Sequence, residues 1–99
     1  MILKKFTQQH LEKKDYDIDF DPWLSDMEDT LDNCAASVEC IDDPTDTDLV
    51  VGAPLITTST AKIWVSGGTP GMTYKVTLNT DTVGGRKDES ELIFVIEDI

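Results

Sequence analysis

Residues 60–98 read TAKIWVSGGTPGMTYKVTLNTDTVGGRKDESELIFVIED and predict three antiparallel strands joined by two turns. Tyr74, Val76 and Leu78 alternate with polar residues, which is the two-residue period of a strand with one buried face. The two connections, at residues 67–71 and 81–85, are rich in residues that favour turns. Because three strands cannot bury both of their faces alone, the remaining residues must supply a second sheet. The sequence therefore predicts a β-sandwich.

The length and spacing of the chain narrow the fold class. Its 99 residues fit one domain, about the size of an immunoglobulin-like sandwich. Further short strands are predicted at residues 15–24, 33–41 and 49–56, and no segment has the period of a helix of useful length. We predict an all-β, immunoglobulin-like sandwich of about seven antiparallel strands. The predicted core consists of Ile63, Val65, Tyr74, Val76, Leu78, Leu92, Phe94 and Ile96, with Val38 and Cys40 opposing them.

Residues 1–14 differ from the rest of the chain. They carry four lysines, yet three large apolar residues, Ile2, Leu3 and Phe6, fall in the first six positions. The segment is either a disordered arm or an arm that docks on another subunit. Since a free arm has no need of three large apolar residues, we predict an extended docking arm at residues 1–14 and a sandwich at residues 15–99.

Residues 15–24, DYDIDFDPWL, alternate strictly and predict a strand with one acidic face. Pro22 ends the strand, and Trp23 and Leu24 are predicted to plug one end of the sandwich and to contact a partner. The spaced aspartates do not form an EF-hand loop, because the sixth position is Phe20 where glycine is required.

The charge of the chain is −12, and residues 15–48 contain 13 acidic residues and no basic one. Binding to phosphate groups needs clustered lysine and arginine, so nucleic acid and anionic membrane surfaces are not expected partners. No apolar run approaches the roughly 20 residues that span a bilayer, and the first residues lack the features of a secretory signal. We expect synthesis in the cytoplasm. The acidic region either faces water or steers a basic partner.

Candidate chemical sites are few. Cys34 and Cys40 lie on one predicted strand about 20 Å apart, beyond disulfide reach, and predict two buried thiols. His10 is the single histidine and falls in the predicted arm, so no nucleophile–base pair or metal site can be assembled. We expect no enzyme activity, no cofactor and no bound metal.

Several segments resemble one protein family. DYDIDFDPWL at residues 15–24, IWVSGGTPGMTYKVT at residues 63–77 and GRKDE at residues 85–89 are similar to the small bacteriophage fibre–tail adaptor proteins. The resemblance covers about residues 15–98. The chain departs from the family at residues 34–48, where it has cysteines and an Asp-rich loop. It implies a structural virion protein of the tail or neck, present in several copies, which contacts other virion proteins and copies of itself.

Two other functions fit parts of the sequence. A decoration or carbohydrate-adhesion module on the same fold would use an exposed aromatic residue, and Trp64 is the candidate because it faces away from Ala61, Ile63 and Val65. The alternative for Trp64 is packing under a neighbouring loop or subunit, which makes it a candidate partner contact. An acidic mimic of nucleic acid is permitted by the charge but has no motif in its favour.

Overall fold

Two sheets packed face to face form the structure, a computed structural model that describes the backbone of residues 2–98 and the side chains of residues 4–98. The strands are β1 (Ile2–Gln9), β2 (Lys13–Asp19), β3 (Leu31–Cys40), β4 (Leu49–Val51), β5 (Leu55–Ile56), β6 (Thr60–Gly67), β7 (Thr73–Thr82) and β8 (Lys87–Glu97). One sheet has the strand order β1-β8-β7-β3 and is called the β8 sheet. The other has the order β2-β6-β4, with β5 also paired to β6, and is called the β6 sheet.

The strand order corresponds to that of an immunoglobulin sandwich. There the sheets run B-E-D and C-F-G, and here β2-β6-β4 and β3-β7-β8 follow the same order along the chain. The all-β prediction is confirmed. The described part of the chain has eight strands, close to the number predicted. One detail was wrong: β1 pairs with β8 in a parallel and not an antiparallel ladder.

The core lies between the two sheets. The eight residues predicted for it on β6, β7 and β8 are each at most 1% exposed, and Ala61 of β6 is a further buried member. Strict alternation places every second residue of these strands on the inner face, and this local rule is why the prediction was correct.

Strand β3 is an edge strand, and this changes the environment of two predicted core residues. It pairs with β7, so Val38 and Cys40 lie beside the core residues of β7 and do not oppose them from the other sheet. Cys40 is buried, but Val38 is 39% exposed and its assignment to the core was wrong. The facing sheet covers β3 only with two short strands separated by residues 52–54, which leaves Val38 in contact with water. Cys34 and Cys40 are both buried free thiols on the single predicted strand.

The predicted N-terminal arm belongs to the sandwich. Residues 2–9 form β1 at one edge of the β8 sheet, and the predicted boundary between residues 14 and 15 falls inside β2. Phe6 stacks on Phe94 with ring centroids 5.2 Å apart and lies 4.5 Å from the Tyr16 ring. The sequence predicted a docking arm because three large apolar residues have no use in a free segment, but the edge of β8 offers Phe6 both ladder partners and an aromatic neighbour. Whether this segment also contacts another chain stays a prediction.

A short helix follows β2 at the point where the sequence predicted that Pro22 ends the strand. Helix α1 (Asp21–Leu24) contains Pro22 in its first turn, where the missing N–H costs no hydrogen bond, and a 3-10 turn continues it at Ser25–Met27. A single helical turn is too short to show a helical period in the sequence. It carries Leu24 into the core, where this residue is 1% exposed.

The turn between β6 and β7 is fastened by a tyrosine. The backbone N–H of Thr69 donates to the Tyr74 hydroxyl oxygen at 2.8 Å, and Gly71 N–H donates to the carbonyl of Ile96 at 2.8 Å. A tyrosine near the start of strand F that bonds to the backbone just upstream is a feature of immunoglobulin sandwiches. Burial raises the pKa of Tyr74, which keeps the hydroxyl neutral.

Asp29 ties the loop before β3 to the hairpin between β7 and β8. Its carboxylate accepts hydrogen bonds from the N–H groups of Thr30 and Gly84 and from the Arg86 guanidinium, each at 2.9 Å. Hydrogen bonding, first from the Thr82 hydroxyl and then from these groups, lowers the pKa of Asp29 to about 2.

We expect the stability contributed by Asp29 to be lost in acid. A carboxyl group whose pKa is lower in the folded than in the unfolded state stabilises the fold above its unfolded pKa and loses this effect as the pH falls through the folded pKa. The window therefore runs from about pH 4 down to about pH 2. Urea unfolding of wild type and Asp29→Asn across this window measures it: the variant should be less stable above the window, and the difference should shrink below it. Asp26→Asn, an exposed change in the neighbouring turn, is the control. A difference that stays constant across the window would contradict the role of the ionised carboxylate.

Candidate partner-binding surface

The outer face of the β6 sheet carries three exposed apolar side chains. Alternation along β6 buries Ile63 and Val65 and turns Trp64 outward, where it is 42% exposed, as the sequence predicted. Val50 pairs with Ser66 and Leu55 pairs with Lys62, two residues to either side of Trp64, so both side chains share its face. Val50 and Leu55 are 59% and 61% exposed. We call these three residues the Trp64 patch.

The Trp64 ring is left uncovered by its neighbour on the side of β4. Gly52 follows β4 and donates its N–H to the Trp64 carbonyl at 3.0 Å, so the position directly beside Trp64 has no side chain. On the other side, the Lys13 ammonium group lies 5.9 Å from the centroid of the Trp64 ring, within the range of a cation–π interaction.

Charged residues of β2 border the patch. Asp15, Asp17 and Asp19 project from the same outer face and are exposed, in agreement with the predicted acidic strand. Lys62 lies 3.5 Å from the Asp15 carboxylate, and Lys13 shares this face, so the aspartates of the border exceed the lysines by one. Such a surface, an apolar centre beside a charged border, has the composition of a protein–protein interface.

A cleft of about 240 Å³ lies at one end of the sandwich. Its apolar wall is built by Ile18, Phe20, Pro22 and Trp23, and the Trp23 ring meets the Phe20 ring edge to face at 6.5 Å. Residues Asp19, Asp88 and Ser90 complete the lining. The cleft lies where β2 passes into α1, beside the first residues of β8, which β1 does not cover.

The six predicted contact residues have different positions. Trp64 lies on the outer face, and Trp23 lines the cleft. Phe6 is half-buried between Tyr16 and Phe94, and Leu24 is a core residue that offers no surface to a partner. The side chains of Ile2 and Leu3 lie outside the described residues. Their contacts with a partner, like those of Trp23 and Trp64, stay predictions.

Val50 and Leu55 were not predicted as surface residues of interest. Gly52 and Pro54 interrupt the alternation of residues 49–56, so the face of each short strand cannot be read from its own sequence. Only the pairing with β6 assigns them to the face of Trp64.

The described residues offer little for chemistry. Between residues 2 and 98, no group of three or more His, Cys, Asp or Glu side chains is placed to hold a metal ion. Burial raises the pKa of the Cys34 thiol and so disfavours its reactive thiolate. In the same part of the chain, no helix is long and apolar enough to cross a membrane.

Comparison with known proteins agrees with the resemblance seen in the sequence. No curated protein matches the chain. A family model does match it over residues 8–95, which include the six complete strands β2 to β7, most of β8 and all of the Trp64 patch. The chain therefore belongs to the family described as podophage GP4 fiber-tail adaptor protein gp77.

Proposed function

We propose that this chain is a non-catalytic structural protein that joins tail fibres or spikes to the tail or neck of a podophage particle. The observation that carries the proposal is the family match over residues 8–95. The protein is made in the host cytoplasm and acts in the virion, where it contacts other virion proteins and further copies of itself. Nucleic acid and membrane are not among its partners, since its net charge is −12.

We further propose that the Trp64 patch contacts a tail or fibre protein. Trp64, Val50 and Leu55 stand on a hydrogen-bonded sheet, so little conformational entropy is lost when a partner covers them. Tryptophan is also among the residues that most often carry the binding energy of an interface.

The border of the patch indicates the chemistry of the partner. Asp15, Asp17 and Asp19 favour a surface with an apolar centre and lysine or arginine on the side that meets β2. The cleft beside Trp23 offers a second anchor, and its carboxylates, Asp19 and Asp88, favour an apolar side chain accompanied by a basic one.

Replacement of Trp64 by alanine tests this assignment. We expect a folded protein whose quantity in purified particles, measured by mass spectrometry, falls at least about tenfold, because loss of a central tryptophan commonly costs 2 kcal/mol or more of binding free energy. Leu11→Ala is the matched control, since Leu11 is 88% exposed but lies in the turn between β1 and β2. Normal incorporation of Trp64→Ala would remove the patch from the interface. Absence of the wild-type protein from particles would overturn the adaptor function itself.

Carbohydrate adhesion is the second candidate, and the exposure of Trp64 is the observation that favours it. Glycan binding by the isolated protein, lost in Trp64→Ala and kept in Leu11→Ala, would support adhesion. Incorporation that depends on Trp64 without any glycan binding would favour the adaptor contact.

A further inference from the structure

We propose that the β8 sheet continues from one copy of this chain into the next, with β1 of one copy lying beside β3 of its neighbour. The copies are then joined head to tail through two different sheet edges. This inference rests on the proposal that the protein acts in several copies, and it names the surface through which they meet.

The edge strands of the two sheets differ in length and in charge. The β6 sheet ends on one side in β2, with exposed Asp15, Asp17 and Asp19, and on the other in β4 and β5, which have three and two residues. Very short strands are a common protection against edge pairing, and the aspartates of β2 would repel the same strand of a second copy. The β8 sheet ends instead in β1 and β3, which have eight and ten residues and contain no proline. Both are therefore long enough to pair with a further strand and have no residue that lacks a backbone donor.

The terminal strands carry opposite charges. Exposed Lys4 and Lys5 lie on β1, which has no acidic residue, whereas Asp32 and Glu39 lie on β3, which has no basic one. Pairing two β3 edges would bring together carboxylates, and pairing two β1 edges would bring together ammonium groups. Like charges across a ladder are destabilising, so the pairing of β1 with β3 is the favoured combination.

The register of the sheet brings these charges to the same level on its outer face. Lys5 pairs with Ile93, Ile93 with Lys75, and Lys75 with Glu39. When a second copy continues the sheet without a shift along the strands, its Lys5 falls beside Glu39 of the first copy. The Glu39 side chain is 59% exposed, and its carboxylate lies 3.6 Å from the Lys75 ammonium group, so this carboxylate lies between two cations in the joined sheet.

The next row of paired residues across the sheet accounts for Val38, the exposed apolar residue of β3. Lys4 pairs with Leu92, Leu92 with Val76, and Val76 with Val38. In the joined sheet, Lys4 of one copy lies beside Val38 of the other. The aliphatic part of a lysine side chain covers apolar surface while its ammonium group stays in water. Val38, 39% exposed in the single chain, is thereby covered.

The direction of the strands sets the symmetry of the assembly. β1 runs parallel to β8, and β8 and β3 are both antiparallel to β7, so β1 and β3 run in the same direction. Copies that extend the sheet are related by the same rotation at every step. A contact between two different surfaces of this kind closes into a ring or continues as a filament.

Charge reversal at the two edges tests the proposal. Sedimentation equilibrium of the purified full chain should show concentration-dependent association that weakens with added salt. Lys5→Glu and Glu39→Lys should each lower the association constant about three- to tenfold, and the two changes together should restore it, because the pair is rebuilt with its charges exchanged. Lys87→Glu is the control: it changes the net charge as Lys5→Glu does but lies on an inner strand of the sheet.

Each outcome decides the question. The edge pairing would be overturned if the wild-type chain stays monomeric or if the single charge reversals leave the association constant unchanged. It would also be overturned if the double variant does not regain the association constant, or if Lys87→Glu lowers it as much as Lys5→Glu does. Thermal melting of every variant separates these results from unfolding. The measurement uses purified protein and does not involve the phage particle. If the copies do not associate, the adaptor function is still tested separately, by the presence of the chain in purified particles.

Discussion

Phe94→Ala should lower the free energy of unfolding by about 3–5 kcal/mol, the range seen when a buried phenylalanine is removed from a core. Phe94 is 0% exposed and packs against the rings of Phe6 and Tyr16, with centroid distances of 5.2 and 5.1 Å. These three residues come from β1, β2 and β8, so the cavity would lie where both sheets and the N-terminal strand meet. Since domains of this size are stable by about 5–15 kcal/mol, a large part of the total would be lost.

Ile93→Ala is the matched control for this prediction. Ile93 precedes Phe94 on β8 but faces outward and is half-buried, so its truncation should cost about 1 kcal/mol. Urea unfolding measures both changes. A loss below 1 kcal/mol in Phe94→Ala would show that the three rings do not form the centre of the core.

Hydrogen exchange on the same variant examines the position of β1. In the wild type, the ladder with β8 should protect amides of residues 2–9, which a mobile arm would not do. Phe94→Ala should reduce this protection more than that of β7, because Phe6 loses its stacking partner. Rapid exchange of residues 2–9 in the wild-type monomer would instead support the arm that the sequence predicted.

Gly68→Ala should lower the free energy of unfolding by about 2–4 kcal/mol, because it combines backbone strain with overpacking of the core. Gly68 has a φ of 93°, in the region that side chains disfavour. A Cβ atom there would lie 2.7 Å from Cγ1 of Ile96 and 3.2 Å from Cδ1 of Leu49, both of which are buried core residues.

Gly71→Ala separates the two contributions to this cost. Gly71 has a similar φ of 86° in the same turn, but a Cβ atom there meets nothing within 4 Å. We expect Gly71→Ala to lower the free energy of unfolding by about 1–2 kcal/mol, which is the contribution of backbone strain alone. Equal losses in the two variants, measured by urea unfolding, would show that the core around Ile96 and Leu49 can yield to the added methyl group.

The sequence by itself determined the features that depend on neighbouring residues. Alternation along residues 60–98 identified three strands, the inward face of each and the outward direction of Trp64, because the period of a strand is a local property of the backbone. The same period placed Cys34 and Cys40 on one strand. The motifs of residues 15–24 and 63–77 identified the family.

Tertiary structure alone decided which strands become neighbours. β1 and β8 lie at opposite ends of the chain, and a pairing between such distant segments leaves no period in the sequence. Val38 obeys the alternation of β3 and is still exposed, because burial also requires a facing strand. The ladder pairs of β4 and β5 with β6 place Val50 and Leu55 beside Trp64, although Gly52 and Pro54 interrupt the segment that carries them. Local periodicity thus fixed the direction of each side chain, whereas the pairing and packing of distant strands decided what that side chain meets.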